Sequence, residues 1–387
     1  MKTLRSGRNR RKGIYVLLLM GLLGLSGCGS PSSASVEMSS QTELVKTGSM
    51  ELQYAENFAV DYYEDGYKML TTLPDSKRYL LVPEGQPVPK GLDEDVSILQ
   101  EPLQNIYLVA SGVMDMFASV DAVDQIRFSG QKQENWYIQT AKDAMEAGTM
   151  IYAGKYSKPD YELLVSEGCD LAIENRMITH SPEVVEMLQS FDIPVMIEYS
   201  SYEQHPLGKV EWVKFFGALT GKEAEAEEAF AEQTEILEKV ESGEKTGKTI
   251  AFFYVTSNGL IQVRQSTDYI PKLIELAGGR YIFEDLEDSG SGRSTLNMQV
   301  EDFYAGAKDA DILIYNSSID GGVTTVDELI GKCNILKDFK ALQEGQVYCT
   351  TNDMYQQSMA IGYLLQDMHT VLTDDDTAKL RYLFLLQ

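Results

Sequence analysis

The chain has 387 residues, with 33 Lys and Arg against 59 Asp and Glu, a formal charge of −26 at pH 7. So acidic a protein is excluded from reading nucleic-acid phosphates, which need a basic face, and from electrostatic attachment to anionic lipid head groups. Its length exceeds the roughly 250–300 residues over which one core keeps growing, so two lobes are expected.

The chain opens on a basic stretch, Lys2, Arg5, Arg8, Arg10, Arg11 and Lys12, followed by the apolar run IYVLLLMGLLGL at residues 14–25. Twelve apolar residues are too few to span a bilayer, which takes roughly 20. A charged start, a short apolar middle and small residues before a break read as a secretory signal. The break itself, Leu25-Ser26-Gly27-Cys28, resembles a bacterial lipobox. That resemblance implies removal of residues 1–27 and lipidation of Cys28; an ordinary signal peptide cut nearby would leave Cys28 incidental. Cleavage removes six basic residues and no acidic one, taking the charge from −26 to −32. Any membrane attachment then runs through lipid on Cys28, and stable anchoring takes more than one acyl chain. Residues 28–49 are Ser-rich and aperiodic, the composition of a flexible tether.

From residue 50 short runs of Tyr, Phe and Val, broken at Asp65-Gly66 and Pro74-Asp75, predict strands; Asp-Gly is a hairpin signal. The period then changes. IYLVAS (106–111) reads as a buried strand, 112–126 as an amphipathic helix and IRFSG (126–130) as another strand. A helix at 160–166 precedes a strand at 169–175, and a helix at 182–191 precedes a strand at 193–199. Helices alternating with short apolar strands imply parallel βαβ layers, in which ligands lie beyond the carboxyl ends of the strands. One helix is predicted from 206 to 221 and a second from 222 to 242, with acids in its first turn and Lys239 near its end, as the helix dipole prefers. A second α/β set follows: strands at 249–255 and 260–264, helices in DYIPKLIELAGG and VEDFYAGAKDA, the strand DILIYNS, the helix TVDELIGK, the strand QVYCT, and a C-terminal helix from about 354. The expected organisation is a signal peptide (1–27), a tether (28–49), an N-terminal lobe (50–221), a connecting helix (222–243) and a C-terminal lobe (244–387).

Enzyme signatures are absent: no Gly-rich phosphate loop, no GxSxG elbow, no HExxH. Acidic clusters such as Glu64-Asp65 and Asp93-Glu94-Asp95 fall in turns and read as solvated charge. His180, His205 and His369 are widely spaced, so no metal site is expected. Cys169, Cys333 and Cys349 make no framework; they are expected as thiols, a Cys333–Cys349 pair being the alternative. Tyrosine is abundant, at 22 residues. Tyr137 beside Trp136, Tyr199, Tyr202, Tyr315 and Tyr355 fall in or next to strand-to-helix loops, where flat rings with one polar handle suit a large two-faced ligand or pack beneath their own loops.

Three segments carry a wider resemblance: GTMIYAGKYSKPDYELLVSEGCDLAIEN, MIEYSSYEQHPLGKVEWVKFFGALTGKEAEAEEAF and DYIPKLIELAGG. Their order and spacing, with the lipobox, resemble the substrate-binding lipoproteins of ABC importers, within the ferric-siderophore, haem and cobalamin group. The resemblance covers residues 50 to about 372. It implies two Rossmann-like α/β lobes joined by a single long α-helix, with the ligand cleft between them. It implies a monomer without cofactor, held at the outer face of the cell membrane and serving a permease and its ATPase. By placement in that family the N-lobe contributes Ser111, Trp136, Tyr137, Asn175, Arg176, Met177, Tyr199 and Tyr202, and the C-lobe Tyr254, Ser257, Asn258, Arg264, Asn316 and Tyr355. Arg176 and Arg264, in so acidic a protein, suit carboxylate, catecholate or phosphate groups on the cargo, or else pair with neighbouring acids. Permease docking falls to Glu162, eight residues before Asp170, and to Glu301, with Asp302 its neighbouring alternative. The mechanism implied is binding without chemistry, with little hinge motion and ordering of loops 131–137 and 200–206. The cargo expected is a ferric siderophore or similar metal chelate; cobalamin or haem, a bare ferric ion, and an extracellular enzyme are the alternatives.

Overall fold

Hydrophobic alternation over residues 46–100 produces a sheet that the α/β pattern alone does not announce. In the computed structural model, which describes residues 44–286, 294–317, 322–375 and 377–387, strands β1 (Lys46–Ser49), β2 (Phe58–Tyr63), β3 (Lys68–Thr72), β4 (Lys77–Val82) and β5 (Val96–Gln100) pair in that order. Asp65 and Gly66 both take positive φ, 57° and 86°, and turn β2 into its antiparallel neighbour β3 as their sequence predicts. The expected signal peptide, Cys28 and the tether up to residue 43 lie outside the described residues. The last four residues of the expected tether belong to the first sheet: Lys46–Ser49 pair with β2, so the N-terminal lobe begins before residue 50.

The N-lobe follows as β6 (Ile106–Leu108), α1 (Val113–Ser119), β7 (Ile126–Ser129), α2 (Gln139–Glu146), β8 (Ile151–Tyr152), the hairpin β9–β10 (Gly154–Lys155, Lys158–Pro159), α3 (Tyr161–Ser166), β11 (Leu171–Asn175), α4 (Pro182–Ser190) and β12 (Val195–Glu198). Its sheet is parallel throughout, in the order β12-β11-β6-β7-β8. The predicted helix at 112–126 is shorter than its periodicity suggested. It ends at Ser119, and Asp121 takes a positive φ of 54°.

The chain then passes through α5 (Pro206–Thr220), a left-handed cap at Gly221 and the 19-residue α6 (Glu223–Glu241), roughly 28 Å long, before the second sheet. The C-lobe comprises β13 (Thr249–Val255), β14 (Ile261–Arg264), α7 (Tyr269–Leu276), β15 (Arg280–Tyr281), β16 (Thr295–Met298), α8 (Val300–Ala307), β17 (Ile312–Tyr315), α9 (Val326–Lys332), α10 (Lys340–Gln343), β18 (Val347–Thr350), α11 (Ile361–Thr373) and β19 (Leu383–Leu385). Its mixed sheet runs β16-β14-β13-β17-β18-β19, with β15 beside β13. β16 and β19 were not expected from the sequence; each is short and pairs antiparallel at an edge. Among the described residues no helix is long and apolar enough to cross a membrane.

Helix α5 explains how these layers hold together. Every residue from Pro206 to Leu219 is buried, including Lys209, Glu211 and Lys214. Phe58 of the first sheet stacks edge-on against Trp212 and Phe215, and one apolar cluster runs from there through Phe216 to Ile250, Leu273 and Leu365 of the C-lobe. The buried charges are matched. Glu211 accepts the backbone N–H groups of Gln53, Tyr54 and Ala55 at 2.8–3.1 Å. Glu203, just before α5, accepts those of Glu56 and Asn57 and the indole N–H of Trp212. Lys214 pairs with Glu227 of α6 at 2.8 Å and sits 4.4 Å over the Phe230 ring. Two carboxylates thus clamp the linker between β1 and β2 onto the central helix.

Cys169, Cys333 and Cys349 form no disulfide. Glu174 of β11 is fully buried, and among the described residues neither of its carboxyl oxygens has a hydrogen-bond partner. Burial pushes its pKa up to about 8.

Two outcomes follow from these carboxyls. Replacing Glu211 by Ala strands three backbone donors and should cost about 3 kcal/mol or more in urea unfolding; an unchanged midpoint would mean that the linker is not held through this side chain. For Glu174, the fold keeps a proton that the unfolded chain loses between its ordinary value of 4.5 and about 8, so stability drops as pH rises across that window. The stability of Glu174→Gln relative to the parent should therefore increase from pH 5 to pH 8. A pH-independent difference would place the folded-state titration elsewhere.

Candidate functional site

The N-lobe strands are parallel, so their carboxyl ends gather at one edge, and the loops leaving β6, β11 and β12 form one wall of a cleft. A cavity of about 250 Å³ lies there, lined by Ala110, Ser111, Gly112, Asn175, Arg176, Met177, Glu198, Ser200, Ser201, Tyr202, Lys209 and, from the C-lobe, Tyr355. Each loop is locally determined. Asn175 Oδ1 accepts the Met177 N–H at 2.8 Å and starts a tight turn. Glu198 accepts both the N–H and the hydroxyl of Ser200, at 2.9 and 2.6 Å. Gly112 lies close against the C-lobe: a Cβ there would stand 3.0 Å from Ser358 Oγ and 3.2 Å from the Tyr355 carbonyl.

Beneath the cavity lies a buried polar layer. Arg264, at the end of β14, bonds to Asp268 at 3.3 Å and to the Tyr355 hydroxyl. Asn316 donates to the same hydroxyl at 2.9 Å. Asp268 also caps α7 by accepting the Ile270 N–H. Lys209 reaches the cleft from α5 with its ammonium 4.7 Å over the Tyr269 ring. Burial drives the lysine below its usual range, opposed by the charges of Glu198, Tyr355 and Asp268. Burial likewise drives Glu198 above the usual carboxylate range, against its Ser200 bonds and Lys209. At the rim, the Arg176 guanidinium lies 4.5 Å over the Tyr202 ring.

The structure gathers Ser111, Asn175, Arg176, Met177, Tyr202 and Tyr355 around the cavity, with Arg264 and Asn316 in the layer below. Others fall elsewhere. Trp136 is fully buried in the N-lobe core, its indole N–H donated to Ser129 Oγ at 3.1 Å, so it anchors its loop and does not line the cleft. Tyr199 is also a core residue, edge-on beneath Tyr202 at 6.4 Å. An aromatic ring in a loop after a strand fits both roles, and here its apolar area went under the loop. Tyr137 is exposed, Tyr254 packs half-buried on the C-lobe core, and Ser257 and Asn258 occupy an exposed turn in which Asn258 accepts from Thr256; none of these four lines the cavity. Lys209 and Glu198 were missed. Lysine and glutamate at positions 209, 211 and 214 of a helix otherwise apolar on every side were the available signal.

A larger cavity, about 350 Å³, lies between Tyr54, His205, Asp268 and Lys272; no residue expected to bind ligand lines it. His205 stacks on Tyr54 at 4.5 Å and accepts the Leu207 N–H. Among the described residues no three His, Cys, Asp or Glu converge as a metal site. The two acids expected at the docking surface are both exposed in first turns, Glu162 in α3 and Glu301 in α8. Each helix leads to an Asp at a strand entrance: Asp170 accepts the N–H groups of Gln104 and Asn105, and Asp311 that of Thr249.

No family model matches the chain. A lipoprotein of Methanocaldococcus jannaschii, MJ0878, is 24% identical over 93% of this chain and 92% of its own length. Among solved structures, a possible iron-binding, periplasmic solute-binding protein of Staphylococcus epidermidis superposes with a TM-score of 0.55 at 16% identity, covering 70% of this chain and 98% of that one. The periplasmic haem-binding protein HutB of Vibrio cholerae gives 0.55 at 14% identity over 69% and 98%. An ABC-type Fe3+-hydroxamate transport system of Saccharomonospora viridis gives 0.54 at 17% identity over 70% and 93%. The solved chains are matched nearly whole, while this chain carries further material.

The separation of anchor from cleft residue is measurable. Trp136→Phe loses one buried hydrogen bond and should lower stability by about 1 kcal/mol, whereas Arg176→Ala, at the rim, should change it by less than about 0.5 kcal/mol; the reverse order in chemical melts would contradict these placements. With two α/β sheets, a cleft between them and these superpositions, the chain has the two-lobed fold of the periplasmic binding proteins that serve ABC importers.

Proposed function

We propose that this chain is the lipid-anchored, extracytoplasmic substrate-binding protein of an ABC importer, and that it captures a ferric siderophore or similar metal chelate for delivery to the permease. The observation that carries the reading is the cleft itself. In a protein of charge −26, two cations, Arg176 and Lys209, and two tyrosines, Tyr202 and Tyr355, surround one cavity between the lobes. Such a lining suits a bulky cargo with anionic oxygens at its edge and flat apolar faces. The related lipoprotein supports the anchor on Cys28, and the iron-chelate and haem proteins of the same fold support the cargo class.

No reaction is required of these residues. Arg264 and Asp268 pair with each other, and Lys209 lies within the charges of Glu198 and Asp268, so these groups serve to position one another. Cobalamin or haem is the second reading, favoured by the haem-binding protein of the same fold. A bare ferric ion, which two tyrosines and a carboxylate could hold, is a third. The protein works as a monomer, and Glu162 and Glu301, one on each lobe, present the two acidic points to the permease and its ATPase.

The test separates capture from delivery. Ferric hydroxamate and catecholate chelates, cobalamin, haem and ferric ion are added in turn while tyrosine and tryptophan fluorescence is followed. A ferric chelate should quench saturably, and Lys209→Met should weaken it at least tenfold. Reversing charge at Glu162 and Glu301 should abolish uptake in cells and leave that titration unchanged. Saturable binding of cobalamin alone would move the cargo to the second reading, and loss of affinity in the charge-reversed protein would remove both acids from the docking surface.

A further inference from the structure

The segment after β18 does two things at once. Residues 351–358 leave the C-lobe sheet, place Tyr355 against the cleft, and with the next side chain cross to the N-lobe. Gln356 Oε1 accepts the backbone N–H of Tyr137 at 2.8 Å, and Gln356 Nε2 donates to the carbonyl of Asn135 at 2.8 Å. One primary amide therefore satisfies a backbone acceptor and a backbone donor two residues apart. The receiving loop is already held: Trp136, between the two contact points, is plugged into the core, and the Ser129 hydroxyl that receives its indole N–H donates in turn to the Gln131 carbonyl at 2.6 Å. The strap has its own turn, with the N–H groups of Gln356 and Gln357 both donated to the Asp353 carbonyl.

A second contact crosses between the lobes nearby. The Met359 N–H is donated to Asp115 of α1 at 2.7 Å, beside the close approach of Gly112 to Ser358. The two contacts differ in their surroundings. The Asp115 bond is partly buried and lies against packed core, whereas both Gln356 bonds are exposed to solvent. Water can replace an exposed bond at little cost and cannot replace a buried one. The closed strap also leaves two hydroxyls, Thr351 Oγ1 and Ser358 Oγ, buried without a partner among the described residues, and opening would hydrate them.

We propose that Gln356 is a releasable latch across the cleft, pivoting on the Asp115–Met359 contact, and that it acts as a positioning residue for cargo by fixing the neighbouring Tyr355. The proposal rests on the binding-protein reading for what occupies the cleft, but not for the latch itself. Two exposed hydrogen bonds bias the closed state by about tenfold, enough to hold an empty cleft mostly shut and weak enough to let go. Cargo lodged against Tyr355 then stabilises the strap in place, and the adjacent amide carries that to the N-lobe.

Hydrogen exchange on the mature chain without cargo tests the latch. In Gln356→Ala the segments 133–140 and 353–360 should both exchange about tenfold faster than in the parent, with α5 unchanged. Gln356→Glu, which keeps the acceptor for Tyr137 and loses the donor to Asn135, should fall between. Faster exchange at Tyr137 alone, or in neither segment, would overturn the proposal, because the strap would then stay seated without its amide. A ferric tris-hydroxamate chelate is the cargo probe: it should slow exchange in both segments of the parent, and Gln356→Ala should raise its dissociation rate about tenfold while the association rate changes little. Equal dissociation rates would overturn the positioning role. Failure of the chelate to bind the parent would count against the cargo reading and leave the latch decided by exchange alone.

Discussion

The molecule depends on one helix that should not be stable by itself. Helix α5 is buried on all sides and carries Lys209, Glu211 and Lys214 inside the protein. Burying a charge is costly unless its partners come with it. Here each partner comes from a different part of the chain: the linker at 53–57 for Glu211 and Glu203, α6 for Lys214, and the cleft with Glu198 and Asp268 around Lys209. The demand for those partners holds the first sheet, the N-lobe and the C-lobe in one arrangement.

This arrangement also links both ends of the proposed mechanism. The linker clamped by Glu211 follows β1, and Glu203 follows directly after Tyr202 at the cleft rim. A continuous apolar core through α5 and into α11 resists a wide hinge motion. Movement is then left to segments such as the strap at 351–358, whose two Gln356 bonds to the N-lobe are exposed to solvent. That division fits the proposed function, in which loading moves loops and leaves the two lobes in nearly the same arrangement.

Much of the fold was legible in the sequence, and particular residues show why. Asp65-Gly66 predicts its turn because positive φ is cheap at Gly and tolerated at Asp. The βαβ alternation is legible because burial of a parallel sheet leaves nearly continuous apolar runs. The cleft is half legible. Asn175, Arg176 and Met177 follow a strand end, where such sheets present ligand. Trp136 follows a strand in the same way, yet its ring fills the core, and nothing local separates the two cases.

What the sequence determined by itself was local: the periods of helix and strand, the turn at Asp65-Gly66 and the acidic balance. Those depend on neighbours within a few residues and on composition. Tertiary structure alone decided that Arg264 would spend its charge on Asp268 and Tyr355, that Lys209 would come to the cleft from inside a helix, and that Gln356 would meet the loop of Asn135 and Tyr137, far back in the chain. The physical reason is that a charge or an amide acquires its role from its partners and its exposure to water, and both are set only once distant segments pack together.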